Sequence, residues 1–208
     1  MSNDNDSIYN PDYIRIIEKT LTRSLTDYTR IMALRVDLRF PVIDNHGDMP
    51  TCFINLDKVI SRFIDSLNAK LKHYQYSKRR KGQRTYLNRL RYVWVKEQSS
   101  SELPHYHCVL IFNKDAYYHL GDYNLDEPSL RTMITTAWYS ALQLQLDPIS
   151  DPTGALVHYP NNGKYCLNQN SLTFEADRAM LMNRLSYLAK EHSKHYNANS
   201  RSIGYSLS

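Results

Sequence analysis

Two β-rich runs separated by a short polar loop limit what this chain can fold into more than any other feature. Residues 86–98 (YLNRLRYVWVKEQ) and 105–113 (HYHCVLIFN) are dense in β-branched and aromatic side chains. Only residues 99–104 lie between them, so the pair is expected as an antiparallel hairpin. Earlier, Pro11 is followed by Ile14, Ile16, Ile17 and Leu21, which predicts an amphipathic helix with proline in its first turn. Residues 31–40 alternate as a strand, with Val36, Leu38 and Phe40 on one face and Arg35, Asp37 and Arg39 on the other. Residues 41–50, containing Asn45 and Gly47, read as a turn-rich loop. From Leu56 to about Tyr76, Val59, Ile60, Phe63, Ile64, Leu67 and Leu71 recur at helical spacing. Residues 127–144 predict a further helix, 155–159 a short strand, and 175 to about 194 a last amphipathic helix. The order α-β-α-β-β-α-β-α points to an α+β fold, an antiparallel central sheet with helices packed on it. No internal repeat or low-complexity linker interrupts the chain. A single domain over residues 11–208 is expected, behind a flexible N-terminal tail of residues 1–10.

The segment richest in chemistry is His105-Tyr106-His107. Residues two apart on a strand project to the same face, so both imidazoles point together, about 6–7 Å apart along the strand. Two such rings can converge on one divalent ion. If the hairpin pairs Glu97 with His105, then Val95 faces His107 and Val93 faces Val109, and the Glu97 carboxylate joins the imidazoles on their face. Cross-strand neighbours of this kind lie about 5 Å apart at Cβ. Two histidines and a carboxylate suit a hard or borderline ion such as Mg²⁺ or Mn²⁺ and leave positions open for phosphate oxygens. Glu102 and Asp37 are alternative third ligands, and Asp37 has a competing use as an ion-pair partner of Arg35 or Arg39.

Charge suggests the partner. The chain carries a net charge of +5, and its basic residues are unevenly spread. Lys78, Arg79, Arg80, Lys81, Arg84, Arg89 and Arg91 cluster in one run, which suits phosphate contacts. Seventeen tyrosines add rings on which unpaired bases can stack. Cys52, Cys108 and Cys166 are odd in number and lack CxxC spacing, so reduced thiols in a cytoplasmic protein are expected. No apolar run reaches the roughly 18–20 residues of a membrane span, and no secretory signal opens the chain.

In the last helix, Met182, Leu185, Leu188 and Ala189 form an apolar side, while Arg184, Tyr187, Lys190, Glu191 and Lys194 take the polar side. Tyr187 and Lys190, three apart, share a helix face. A tyrosine can act as a covalent nucleophile, and a nearby ammonium can stabilise developing charge. Arg35-Val36-Asp37-Leu38-Arg39, then His105-Tyr106-His107, then Tyr187-Leu188-Ala189-Lys190 occur in that order. This combination resembles the HUH endonuclease superfamily, in its replication-initiator branch, where the histidine motif precedes a single catalytic tyrosine. More closely, over roughly residues 28–192, the chain is similar to inovirus-type replication proteins and to prophage proteins of the YagK/YfjJ C-terminal family.

The resemblance implies a palm-like sheet and a rolling-circle replication initiator acting on single-stranded DNA at an origin. His105 and His107, with Glu97 as third ligand, would hold Mg²⁺ or Mn²⁺. Tyr187 would form a 5′-phosphotyrosine, and Lys190 would assist it. Arg35, Asp37 and Arg39 would lie in the DNA groove, and Lys78, Arg79, Arg80, Lys81 and Arg84 would contact backbone. No GxxxxGK[ST] motif is present, so unwinding and extension would fall to a host helicase and polymerase. Tyr196 lies too far along to serve as an obvious second nucleophile. Two other readings remain open: a non-catalytic DNA-binding regulator on the same fold, and a metal-dependent hydrolase without a covalent step. Against the latter, Val109 stands where a histidine-triad site needs a third histidine, and Cys108 faces away from the pair.

Overall fold

Asn10 and Pro11 start the first helix. The Asn10 side chain accepts hydrogen bonds from the Asp12 and Tyr13 amides (3.0 and 3.2 Å), and Pro11 brings a preset φ to the first turn. The structure, a computed structural model, describes residues 9–41, 56–97, 104–122, 128–144, 155–190 and 201–207. Its elements, in chain order, are α1 (Pro11–Asp27), β1 (Arg30–Leu38), α2 (Leu56–Arg80), β2 (Arg91–Glu97), β3 (His105–Asn113), α3 (Leu130–Ala141), β4 (Val157–His158), β5 (Lys164–Asn168), α4 (Phe174–Ser186), a 3₁₀ turn (Tyr187–Ala189) and β6 (Ile203–Tyr205). The class is α+β with an antiparallel sheet, as the element order implied. The chain forms two compact units, one from residues 1–37, 88–116 and 159–208, the other from residues 38–87 and 117–158. No helix among the described residues is long and apolar enough to cross a membrane.

In the first unit, β1 pairs with β3, β3 with β2 and β2 with β6, while β5 pairs with β1. The hairpin register is the expected one: Glu97 lies opposite His105, Val95 opposite His107 and Val93 opposite Val109. β5 runs antiparallel to β1, from Arg30 opposite Asn168 to Leu34 opposite Lys164. The Lys114 amide donates to the Arg30 carbonyl (3.1 Å) at one end of β1, and Asp37 meets His107 at the other. β1 and β3 therefore run in opposite directions. One face of this sheet carries Ile31, Ala33, Val93, Val95, Val109, Ile111 and Leu167, covered by Tyr13, Ile17 and Leu21 of α1 and by Leu181, Leu185, Leu188 and Ala189. Each fully buried Leu, Ile or Val stabilises the fold by roughly 1.5–3 kcal/mol. Arg91 is buried and bonds Asp27 (2.8 Å) and the Leu207 carbonyl (3.2 Å). It therefore ties β2 to the end of α1 and leaves the phosphate-contact cluster to which its sequence position assigned it.

In the second unit, Val59, Ile60, Phe63, Ile64, Leu67 and Leu71 of α2 are buried as their spacing predicted. Phe63 and Phe40 meet the Trp138 ring of α3 edge-on, at 5.8 and 5.5 Å between centroids, and the Trp138 indole N–H donates to the Arg39 carbonyl (2.7 Å). α2 runs past Tyr76, so Lys78, Arg79 and Arg80 form its last turn instead of following it, where cations favour the carbonyl end of the helix dipole. Gly82, at φ +69°, closes that end, with amide bonds from Gly82 to Arg79 and from Gln83 to Lys78 (2.9 and 3.0 Å).

Three expectations shift. β2 begins at Arg91 rather than residue 86, because the backbone before it is held by side chains: Asn88 Oδ1 accepts from the Asn113 amide (2.8 Å) and Tyr28 Oη from the Arg89 amide (2.7 Å). α4 stops at Ser186, and Tyr187–Ala189 winds into a 3₁₀ turn before Lys190 turns extended. β5 and β6 had no counterpart in the sequence reading; each is short and bordered by polar residues, so neither leaves an alternation to detect. Asn45, Gly47, Cys52, Glu102 and Tyr196 lie outside the described residues.

Gly204 of β6 lies opposite Trp94, and a Cβ there would sit 2.3 Å from the indole. Gly204→Val is therefore expected to undock β6 and cost roughly 1–3 kcal/mol of stability, read as a lower urea midpoint with earlier solvent exposure of tryptophan fluorescence. An unchanged midpoint would show that the indole does not rest on this glycine.

Candidate functional site

Strand parity builds the site. Ile31 and Ala33, then Arg35 and Asp37, follow one another on a single face of β1. Ile111 and Val109, then His107 and His105, do so on β3, and Val93, Val95 and Glu97 on β2. Arg35, Asp37, Glu97 and His107 are all under 10% exposed, so this polar end of the core face is shielded from bulk solvent.

His107 is clamped from both sides. Its Nδ1 lies 2.6 Å from Asp37 Oδ1 and its Nε2 lies 3.0 Å from Glu97 Oε2. Both carboxylates are acceptors, so each close approach needs a proton on the ring nitrogen. Burial disfavours the charged imidazole, but hydrogen bonds and charge from Asp37 and Glu97 outweigh it, and the His107 pKa is pushed up to about 8. His105, set edge-on to His107 with ring centroids 4.8 Å apart, brings its Nε2 to 3.7 Å from the same Glu97 oxygen.

One ligand atom each from Glu97, His105 and His107 lies within 4.8 Å of the others. These residues could hold a metal ion, since donors about 2.1 Å from a shared ion sit about 3 Å apart and small side-chain rotations close the difference. The fit is chemical as well as spatial. His107 would give Nε2 to the ion while Nδ1–H still donates to Asp37, an arrangement that fixes the tautomer and orients the ring. Asp37 is thereby distinguished from the other third-ligand candidates: it holds His107 from behind and also pairs with Arg35 (Nε to Oδ1, 3.2 Å). Cys108 is fully buried, and burial, with the Asp37 charge, pushes its thiol well above the ordinary range.

Arg35 links this triad to the tyrosine. Its Nη2 lies 3.3 Å from His107 Nδ1, and its guanidinium carbon lies 5.3 Å from the centroid of the Tyr187 ring. Lys190 Nζ lies 4.6 Å from the same centroid. Tyr187 and Lys190 do meet, through the 3₁₀ turn rather than along an α-helical face, and Tyr187 is 43% exposed. Arg35 and Asp37, two of the residues expected at the DNA, are buried: Asp37 packs against His107, and Arg35 lies between His107 and the Tyr187 ring. Arg39, Arg79, Arg80, Lys81 and Arg84 are exposed and belong to the second unit. There Lys78 and Arg84 lie over the Tyr74 and Tyr86 rings (5.2 and 4.8 Å).

Two contributors went unseen in the sequence. Tyr9 bridges to Lys190 and the Asn10 amide donates to the Ala189 carbonyl (2.8 Å), so residues assigned to a loose tail hold the Tyr187 turn. Gly163 approaches β1 closely: the Arg35 amide donates to its carbonyl (2.8 Å), and a Cβ there would sit 2.8 Å from the Pro160 carbonyl oxygen. Both are long-range contacts that no local pattern encodes.

Metal-free protein should show the His107 clamp as a pH effect. A histidine raised from 6.5 to about 8 on folding stabilises fully below about pH 6.5 and loses that contribution as pH rises through 8. The loss is on the order of 2 kcal/mol. Urea midpoints from pH 6 to 9 should fall accordingly, and Asp37→Asn should flatten the slope; a wild-type midpoint that does not move over this range would refute the clamp. Mn²⁺ affinity, measured by titration calorimetry, should rise with pH and level off above about 8, because the ion displaces the Nε2 proton.

The model of the YagK/YfjJ C-terminal domain family matches residues 1–206, beyond the 28–192 span of the resemblance drawn from the motifs. YagK of Escherichia coli (strain K12) is 47% identical over 196 residues, 94% of this chain and 92% of that protein. YfjJ of the same strain is 44% identical over 193 residues, 91% of each chain. Neither name states an activity, and no solved structure matches. The chain belongs to the YagK/YfjJ C-terminal domain family.

Proposed function

We propose that this protein is a metal-dependent endonuclease of the HUH type that nicks and rejoins single-stranded DNA at an origin, initiating rolling-circle replication of a phage or prophage-like element. The observation that carries the reading is the Arg35 guanidinium, which touches His107 of the metal triad and lies over the ring of Tyr187. A two-histidine, one-carboxylate site and an accessible tyrosine flanked by two cations thus form one continuous constellation.

In this reading the Tyr187 oxygen attacks the scissile phosphorus. The phenol proton passes to solvent, the P–O3′ bond breaks, and the departing oxygen takes up a proton. The products are a 5′-phosphotyrosine and a free 3′-hydroxyl that a host polymerase can extend. The reverse attack by a 3′-hydroxyl rejoins the strand. Mg²⁺ or Mn²⁺ bound by Glu97, His105 and His107 would polarise the phosphate and offset charge in the pentavalent transition state. Asp37 keeps the His107 ring turned, and Arg35 and Lys190 supply positive charge where the phosphate must come to rest. The basic, aromatic-backed run from Lys78 to Arg84 suits sequence-independent contacts to the strand.

Incubation with end-labelled single-stranded DNA and Mn²⁺, followed by a denaturing protein gel, should give a covalent protein–DNA band that Tyr187→Phe and the double variant His105→Ala/His107→Ala both abolish. Lys190→Ala should slow its formation roughly 10- to 100-fold and leave Mn²⁺ affinity unchanged. A band that persists in Tyr187→Phe moves the nucleophile elsewhere. Tight binding of strands from the native element with no band on any of them would instead indicate a non-catalytic DNA-binding protein.

A further inference from the structure

The Tyr187 turn borders a second feature that the metal triad does not use. A pocket of about 400 Å³ opens there, between Tyr9, Tyr165, Met180 and Arg184, with Tyr187 and Lys190 as the wall it shares with the triad side. That volume falls within the range of small-ligand sites. Its parts come from the N-terminal segment, β5 and α4, and the bridge between Tyr9 and Lys190 holds them together.

Three features of the lining specify a ligand. Arg184 Nε is buried and has no hydrogen-bond partner, whereas the other enclosed arginines of this unit, Arg35 and Arg91, are paired with carboxylates. A buried donor without an acceptor is costly, so one at a pocket wall points to an acceptor supplied from outside. Tyr9 and Met180 are 43% and 57% exposed, and with Tyr165 they offer apolar and aromatic surface to a flat partner. Lys190 adds a second cation beside Arg184. Aromatic surface with two cations fits a planar, anionic molecule rather than a lipid or a plain peptide.

We propose that this pocket holds one unpaired nucleotide of the DNA strand, the one adjoining the phosphate presented to Tyr187. Its base lies against the Tyr9 and Tyr165 rings, and the Arg184 N–H groups meet acceptors on the base edge or its phosphate. The assignment to the nucleotide next to the cut rests on the nicking reading; the pocket's affinity for an unpaired base does not. Sequence preference would then arise at the cut itself, while the Lys78–Arg84 run binds strands of any sequence.

Fluorescence anisotropy with labelled twelve-nucleotide thymidine strands, and with the same strands made abasic, tests this. Tyr165→Ala and Arg184→Ala should weaken binding of the base-bearing strand about 5- to 100-fold, with Tyr165→Phe within about twofold of wild type. The abasic strand should bind wild type and Tyr165→Ala equally weakly. Equal losses on both strands in Arg184→Ala, with no effect of Tyr165→Ala, would reduce the pocket to an anion site and overturn the proposal, as would wild-type affinity in both variants. The gel assay separates the two readings. A Tyr187 adduct with unaltered binding in the pocket variants sinks the pocket and keeps the nuclease. Base-dependent binding lost in those variants, with no adduct on any strand, does the reverse.

Discussion

The antiparallel register of β2 on β3 governs the candidate site. Because Glu97 stands opposite His105, its carboxylate falls on the face of both imidazoles and reaches His107 Nε2 at 3.0 Å. A slip of one residue would send Glu97 to the opposite face and bring Lys96 into its place. The register is in turn fixed by burial further along the same strands. Val93 and Val95, and Val109 and Ile111, must face the core under α1 and α4, and the same alternation carries Glu97, His107 and His105 onto that face. The apolar half of the face thus sets the geometry of the polar half.

That arrangement places several charges where water is scarce. Isolated, each would be costly to bury; here they compensate one another. Asp37 serves Arg35 and His107, Glu97 serves His107 and His105, and Arg35 reaches on to the Tyr187 ring. His107 is the centre of the network, since both of its nitrogens face carboxylates. The same network that favours a charged imidazole without metal would pre-orient a neutral one toward an ion, so that proton and metal would compete for a single nitrogen.

The tyrosine is positioned by a helix that ends rather than one that continues. Leu185, Leu188 and Ala189 are buried in the core, while the chain between them tightens into a 3₁₀ turn and leaves extended at Lys190. The anchored Leu185 before it and Leu188 and Ala189 after it pin the backbone on either side of an exposed phenol. The Tyr9 bridge and the Asn10-to-Ala189 hydrogen bond fix the exit. The Tyr187 phenol is thereby accessible, yet mounted on backbone that has few alternatives.

Much of this was legible in the sequence because it depends on short-range periodicity. The α1 face with Ile17 and Leu21, the α2 face from Val59 to Leu71, and the hairpin follow from spacings of 3.6 and 2, which act within one element or across one loop, and the register supposed for the hairpin is the one its strands adopt. Given that register, parity also brings Glu97 onto the face of His105 and His107, though it left Asp37 and Glu102 open as alternatives. Tertiary structure decided the rest. It set Asp37 against His107 Nδ1 and Arg35, withdrew Arg35 and Arg91 from the surface, drew Tyr9 and Asn10 against the Tyr187 turn, and added β5 and β6 as strands. Most of these outcomes join residues far apart in the chain through hydrogen bonds, ion pairs or backbone pairing. Such contacts form only once the core has fixed where the partners stand, and so no local pattern records them.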